Sequence, residues 1–492
     1  VTSSAIFWAL LLIPAAGSGL CLLLRTPRAI LMLICAGVLC SAALAFGAAA
    51  RALANGVLVS PGEWFFLDAL SAYHLMIMMA VFSLSSLYTL SYFRREAETG
   101  AFTPGLARRF GALWFGALGA MTLVLISNNL GIMWVGIEAT TLVTAFLICL
   151  HRSPASLEAM WKYIIICSVG VAFAFMGTLL VGASTARQLP AADALLWTKL
   201  CAASGALNPV LLKAGFLFLL VGYGTKAGLA PMHSWLPDAH SQAPSPVSAL
   251  FSGFLLNSAF YCMLRYVSLV ERATGHSGWS LRLLVVFGAL SIVVAAAFIL
   301  FQHDLKRLLA YHSVEHMGII ALGMGLGGAG VLGALFHTLN HSLCKTVAFF
   351  SAGRLGQMYG THDMNRIGGA LRAAPVWGKG LLLSLLCLIG VAPFAIFMSE
   401  LQIVSAAAAG GAWWTMGLFL FGVGVVFVGA LKHAVSMSWG EPAEGVREER
   451  ADALEAALAF APMAALLGLG LWMPAFLRNA IVQAAAIVGG RP

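Results

Sequence analysis

Charge is scarce in this chain of 492 residues: Asp, Glu, Lys and Arg together make up 10%, against roughly 25% in a soluble domain. With 61% hydrophobic residues, the chain has too little polar surface to wrap a globule of its length. That excludes an ordinary soluble fold and makes lipid the natural solvent. A basic stripe is also lacking. The net charge of +9 is spread as single or paired Lys and Arg between apolar runs. This excludes a nucleic-acid surface and fits membrane topology. Paired cysteines are missing too. None of Cys21, Cys35, Cys40, Cys149, Cys167, Cys201, Cys262, Cys344 and Cys387 forms a C-x-x-C pair, and nearly all lie in apolar runs. They read as small buried hydrophobes, not iron–sulfur or zinc ligands. No GxGxxG, P-loop or nucleophile elbow stands in a suitable context. No cofactor is therefore expected in this chain.

Long apolar runs are what the sequence has in abundance. Runs of about 20 residues, enough at about 1.5 Å per residue to cross a bilayer, recur near 5–24, 29–50, 64–90, 108–127, 129–150, 160–182, 210–240, 244–268, 282–302, 305–326, 330–353, 376–408, 412–436 and 453–477. The expected fold is an all-α polytopic membrane protein of about fourteen transmembrane helices. The first run lacks a charged n-region and a cleavage site, so it reads as a retained helix. Placing the N-terminus outside puts Arg25, Arg28, Arg94, Arg95, Arg108, Arg109, Arg152, Lys162, Lys306, Arg307, Arg354, Arg366, Arg372, Lys379, Lys432, Arg447 and Arg450 in cytoplasmic loops. The opposite side then holds about half as many, which predicts both termini on the outer face of an inner membrane.

Two runs are interrupted. One reads Gly222-Tyr-Gly-Thr-Lys-Ala-Gly-Leu-Ala-Pro231, the other Leu388-Ile-Gly-Val-Ala-Pro393-Phe-Ala-Ile-Phe-Met-Ser-Glu400. Each sets a Gly/Pro break beside one ionisable residue, the pattern of an inverted repeat with a site between its halves. These are the seventh and twelfth runs, so the expected division is 1–107 for the first three helices, 108–268 and 269–438 for two inverted five-helix repeats, and 439–492 for a polar linker and last helix.

A charge at the bilayer centre costs at least about 2.5 kcal/mol, so each ionisable group inside a run needs a reason. Glu138 has no charged neighbour in its helix. It reads as a proton-binding carboxylate tuned by a nearby Lys, or as a structural ion pair. Lys226 lies at the first break, where unwound carbonyls can face an ammonium; the plain alternative is a snorkelling lysine. His337, His341 and Lys345 recur at i, i+4 and i+8 on one helix face over about 12 Å. That stripe can pass protons with water in the gaps. As a metal site it is weak, because Lys is a poor third ligand, and no metal is expected. His312, Glu315 and His316 can feed it from Asp304, Lys306 and Arg307, or can serve interhelical hydrogen bonding. Glu400 follows the second break as the oppositely charged counterpart of Lys226. His233, Asp238 and His240 line an entrance or sit in a solvated loop.

The segment Thr225-Lys226-Ala-Gly-Leu-Ala-Pro-Met-His-Ser-Trp-Leu-Pro-Asp-Ala-His240, followed by Ala243-Pro-Ser-Pro-Val-Ser-Ala-Leu250, resembles the signature of antiporter-like membrane subunits. These occur in NADH:quinone oxidoreductase, multisubunit cation/proton antiporters and membrane-bound hydrogenases. The resemblance covers nearly the whole chain. It implies a fourteen-helix fold with inverted five-helix repeats. It also implies a Glu138–Lys226 pair, a central stripe of His337, His341 and Lys345, and an exit residue at Glu400. Tyr311 to Gly318 and Pro393 to Glu400 look most like hydrogenase-4 component F. Little sequence follows the expected helix fourteen, so the lateral helix of the L-type subunit is not expected. One departure stands out. Asn257 is found where the M-type subunit carries lysine, and Ser252 where the L-type carries histidine, so helix eight supplies no strong base. A continuous path then needs water, or Glu315 and His316, to bridge the repeats.

The resemblance implies a proton-translocating, non-redox subunit of a respiratory oxidoreductase. Its partners would be other membrane subunits and a peripheral module with iron–sulfur clusters. The rival readings are a sodium- or potassium-exchanging antiporter subunit, a membrane anchor that moves no ions, and a component of energy-coupled inorganic-carbon uptake beside a soluble zinc protein.

Overall fold

The computed structural model describes residues 3–185, 188–446 and 448–489; Arg447, one of the expected cytoplasmic charges, lies outside the described residues. The chain is built from helices. The first six are α1 (Ser3–Leu23), α2 (Pro27–Asn55), α3 (Ala69–Glu98), α4 (Pro104–Ile126), α5 (Leu130–Ile148) and α6 (Pro154–Ala183). The first interrupted run forms α7a (Pro209–Ala227) and α7b (Trp235–Gln242). Next come α8 (Ser245–Ala273), α9 (Trp279–Ile299), α10 (Leu305–Leu326) and α11 (Gly328–Tyr359). The second interrupted run forms α12a (Pro375–Leu388) and α12b (Ala395–Ala409), followed by α13 (Trp413–Ser438), α14 (Ala453–Leu471) and α15 (Ala475–Val488).

Local chemistry sets many of the starts. Pro occupies the first turn of α2, α4, α6 and α7a, where a missing N–H costs nothing. Thr26, Thr103, Ser153 and Asn208 cap those turns with side-chain oxygens. Among the described residues eleven helices are long and apolar enough to cross a membrane. The 22-residue α10 and 32-residue α11 are long enough as well, but their titratable stripes lower their hydropathy.

The fold is nearly all helical, as expected; beside the helices, Leu58–Val59 pairs antiparallel with Phe66–Leu67. One expected boundary needs correction. The run at 453–477 is not one helix: the chain turns extended at Trp472, and Pro474 precedes a separate helix, α15.

Burial sorts the helices. α8 is buried along its whole most apolar stretch, whereas only 28% of that stretch is buried in α13. The outer helices turn Trp8, Trp161, Phe173, Trp414 and Phe421 outward, the surface that lipid requires. Eight cysteines are buried and Cys40 is exposed. Helices meet closely at small residues. A Cβ on Gly288 of α9 would lie 2.6 Å from the Gly318 carbonyl oxygen of α10, and one on Gly222 of α7a 2.6 Å from that of Gly170 in α6.

The α8 core also holds an ion pair absent from the sequence reading. Arg265 grips Asp68, the N-cap of α3, through two hydrogen bonds of 2.6 and 2.7 Å. Its guanidinium is enclosed by the rings of Phe66, Trp197 and Tyr261.

Candidate functional site

Lys226 is fully buried in the last turn of α7a, which excludes a snorkelling lysine. α7a ends there because Gly228 takes a left-handed conformation, φ +76°, that L side chains avoid. Past the break, the Trp235 indole N–H reaches back to the Thr225 carbonyl at 2.8 Å, a second donor for an oxygen that the Gly228 N–H meets at 3.2 Å. The carbonyl end of a helix favours a cation. The Lys226 ammonium donates to Thr141 Oγ1 at 2.9 Å and to the Tyr163 hydroxyl, which also meets Thr144 Oγ1 at 2.6 Å.

The expected Glu138–Lys226 pair is not a direct contact. Glu138 is half-buried and accepts from Ser168 Oγ at 3.2 Å, while its second oxygen has no partner. Hydroxyls of Thr141 and Tyr163 stand at the ammonium instead. Thr141 lies three residues beyond Glu138 on α5, so a polar helix face was legible in the sequence. Tyr163, in an apolar run, gave no such signal.

The second break places its charge on the other side. Gly390, at φ +73°, follows α12a, and Glu400 lies in the second turn of α12b. A Cβ on Gly390 would sit 2.5 Å from Glu400 Oε2, so the carboxylate fills the opening the break creates. Its Oε1 is buried without a partner.

Between the breaks, α10 and α11 join their stripes. His312 Nδ1 meets Glu315 Oε2 at 2.9 Å. His316 Nδ1 meets His337 Nε2 at 2.8 Å, and His337 Nδ1 meets Ser399 Oγ at 2.9 Å. Ser399 donates its own proton to the Ile396 carbonyl, so it accepts from His337 Nδ1–H. His337 Nε2 is then bare and accepts from His316 Nδ1–H. The hydrogen-bond order runs from His316 through His337 to Ser399, one residue before Glu400. The His341 ring lies 5.1 Å from that of His316, with both nitrogens unpartnered. Lys345 donates to the Leu309 carbonyl at 2.6 Å.

All nine candidates are thus placed. Lys226, His312, Glu315, His316, His337, His341, Lys345 and Glu400 are buried, and Glu138 is half-buried. On α8, neutral groups stand where a base is missing: Ser252 Oγ meets Ser313 Oγ at 2.7 Å, and Asn257 Nδ2 donates to Ser342 Oγ at 3.1 Å. Donor atoms of His312, Glu315 and His316, and of His316, His337 and Glu400, lie within 4.8 Å of one another. The spacing suits a divalent ion, but the 2.8 Å contact commits His316 Nδ1 and His337 Nε2 to each other.

Interrupted helices and a file of buried titratable groups define this as an antiporter-like membrane subunit. Residues 127–426 match the family described as "NADH:quinone oxidoreductase/Mrp antiporter, TM", and the chain belongs to that family. The match spans all nine candidate residues. The hydrogenase-4 component F homolog of Methylacidiphilum infernorum (isolate V4) is 38% identical over 389 residues, 78% of this chain and 80% of that one. Subunit N of the NADH-quinone oxidoreductase of Desulforudis audaxviator (strain MP104C) is 29% identical over 381 residues, covering 76% and 73%. A chain in the membrane-bound sulfane sulfur reductase (MBS), an archaeal respiratory membrane complex, superposes with TM-score 0.86 at 24% identity over 98% of each chain. That last likeness establishes the shared fold.

Proposed function

We propose that this chain is the proton-translocating membrane subunit of a redox-driven complex. The observation that carries the reading is the buried file of titratable groups. Lys226 is held by Thr141 and Tyr163, with Glu138 nearby on the same α5. His312 pairs with Glu315, and His316 is hydrogen-bonded through His337 to Ser399 beside Glu400. Such groups are expensive to bury and, in membrane proteins, mark ion paths. In this reading α10, α11 and the α12a–α12b pair join the eleven apolar helices to make fourteen spans, and helices four to eight and nine to thirteen are inverted repeats. Both termini face the outside of an inner membrane.

The redox reaction takes place in partner subunits, namely other membrane subunits and a peripheral iron–sulfur module; this chain holds no cofactor or metal of its own. The likeness to hydrogenase-4 component F and to subunit N supports the redox-driven form. The partner's reaction alters how strongly Lys226 is held near Glu138. Protons then pass along the histidines, and Glu400 exchanges them at the far end.

Tagged full-length protein is purified with whatever accompanies it. Inverted membrane vesicles are then energised with hydrogen, formate or NADH, and proton uptake is followed by acridine-dye quenching. Lys226→Ala and Glu138→Gln are expected to slow uptake at least about tenfold. Wild-type rates in both, with the complex assembled, would sink the reading. The family also includes cation/proton antiporters, which supports a second reading as an antiporter subunit; uptake that requires added sodium and no electron donor would favour it.

A further inference from the structure

Arg25, Arg28, Arg108, Arg109 and Arg152 have no part in the proton path. They stand at one end of the bundle, where α1 and α5 finish and α2 and α4 begin. None of them forms an ion pair among the described residues. The adjoining end of α3 is different: Arg94 holds Asp452 at 3.5 Å, and Arg95 holds Glu449 and Glu455 at 2.8 and 2.7 Å. Like charges gathered without a counter-charge build a positive potential that draws an anion from outside the chain.

Arg109 and Arg152 line a cavity of about 330 Å³ between α1, α4 and α5, a size that suits a small ligand. Its other walls are apolar: Leu22 from α1, Leu106 and Leu113 from α4, and Phe146 from α5. Leu106, Arg109 and Leu113 fall at i, i+3 and i+7, on one stripe of α4. Leu113 lies one turn, about 6 Å, deeper along the helix than Arg109. Leu22 and Phe146 are exposed, so the cavity opens sideways onto the surface that meets lipid. Its frame is fixed. Ser18 Oγ donates to the Ala112 carbonyl at 3.1 Å, and a Cβ on Gly111 would lie 2.7 Å from Cys21 Sγ, so α1 and α4 are in close contact. On the other side His151 meets Glu96 at 3.0 Å, which ties the turn carrying Arg152 to α3.

We propose that this cavity binds one anionic phospholipid of the adjoining leaflet, with its phosphate between Arg109 and Arg152 and an acyl chain along Leu22, Leu113 and Phe146. A guanidinium offers paired N–H donors that match phosphate oxygens, and Arg25, Arg28 and Arg108 add to the attraction. Basic pockets between transmembrane helices suit such head groups. A free phosphate would leave the apolar walls bare, and a partner's helix would need a carboxylate at the depth of Arg109. In the orientation proposed above, the leaflet is the cytoplasmic one. The inference rests on the membrane-spanning fold alone and stands apart from proton translocation.

The test uses the full chain with whatever subunits co-purify, stripped of lipid in mild detergent. Phosphatidylglycerol or phosphatidylcholine is titrated in, and bound lipid is counted by native mass spectrometry. Each arginine beside an anionic head group is worth about fivefold. The wild type should therefore hold one phosphatidylglycerol about 25-fold more tightly than phosphatidylcholine. Arg109→Gln combined with Arg152→Gln should lose that preference, whereas Arg109→Lys combined with Arg152→Lys keeps both charges and should retain most of it. Equal binding of the two lipids by the wild type, or an unchanged preference in the Gln pair, overturns the proposal. Glycerol phosphate that raises the melting temperature as much as phosphatidylglycerol does would make this a soluble-anion site, and overturns it as well. So does binding by the chain freed of its partners but not by the chain with them, which assigns the groove to a subunit contact.

Discussion

Replacing Ser399 by Ala removes one oxygen and reverses the sense in which two histidines can hold a proton. Ser399 accepts from His337 Nδ1–H at 2.9 Å because its own hydroxyl proton is given to the Ile396 carbonyl. Without that oxygen the buried N–H has no acceptor, since Asn340 Nδ2, the other side chain on Ser399, is itself a donor. His337 can escape by moving its proton to Nε2. That nitrogen would then face the proton on His316 Nδ1 across 2.8 Å, and His316 would have to change tautomer as well. Either course costs about 1–3 kcal/mol. At about 1.4 kcal/mol per factor of ten, donor-driven proton uptake should slow by about 5- to 150-fold. Ser399→Thr keeps the hydroxyl and should stay near the wild-type rate. The assay is acridine-dye quenching in vesicles, normalised to the amount of assembled complex. A Ser399→Ala complex that takes up protons as fast as the wild type would refute the ordered His316–His337–Ser399 chain.

Three further outcomes are expected. Tyr163→Phe leaves Lys226 with Thr141 and an aromatic face but deletes a hydroxyl partner, so proton uptake should fall about tenfold, for a loss of roughly 1–2 kcal/mol; an unchanged rate would deny that the Tyr163 hydroxyl matters to Lys226. Arg265→Leu strands the Asp68 carboxylate and should cost about 3–5 kcal/mol, seen as a lower melting temperature in detergent, whereas Asp68→Leu combined with Arg265→Leu should regain most of it. His362, in the loop after α11, is held by burial at a pKa of about 3, well below the ordinary 6.5. Its unfolded form gains a proton first as pH falls. Stability should therefore drop by about 1.4 kcal/mol per pH unit below 6.5, until the folded value is reached. Melting followed from pH 7 to pH 4.5 should show that slope, flattened in His362→Gln.

Hydropathy made most of the fold legible, because a residue run that meets lipid has few ways to be polar. It was least reliable where lipid is not the neighbour. The end of α14 was misplaced because Trp472, Met473 and Pro474 are apolar enough to continue a run, although the backbone turns there. The stripe of His337, His341 and Lys345 could be read from helical spacing, since α11 is one uninterrupted rod. Its partners could not: that His337 meets His316 and Ser399 depends on how α10, α11 and α12b lie together. The same limit hid Tyr163, which looks like any core aromatic until Lys226 is placed against it. The sequence left His240 between a loop and an entrance, and only its burial decides.

The Arg265–Asp68 clasp bears on how the protein is made. Its two residues are 197 positions apart. A helix carrying Arg265 gains little by entering lipid alone, because its guanidinium has no counter-charge of its own there. α3, with Asp68 at its start, leaves the ribosome long before α8. The early helices therefore hold an acidic receptor in waiting, and the insertion of α8 is an act of assembly onto them. A lesion at Asp68 should then appear first as α8 failing to stay in the membrane during synthesis, before any loss of transport by finished molecules.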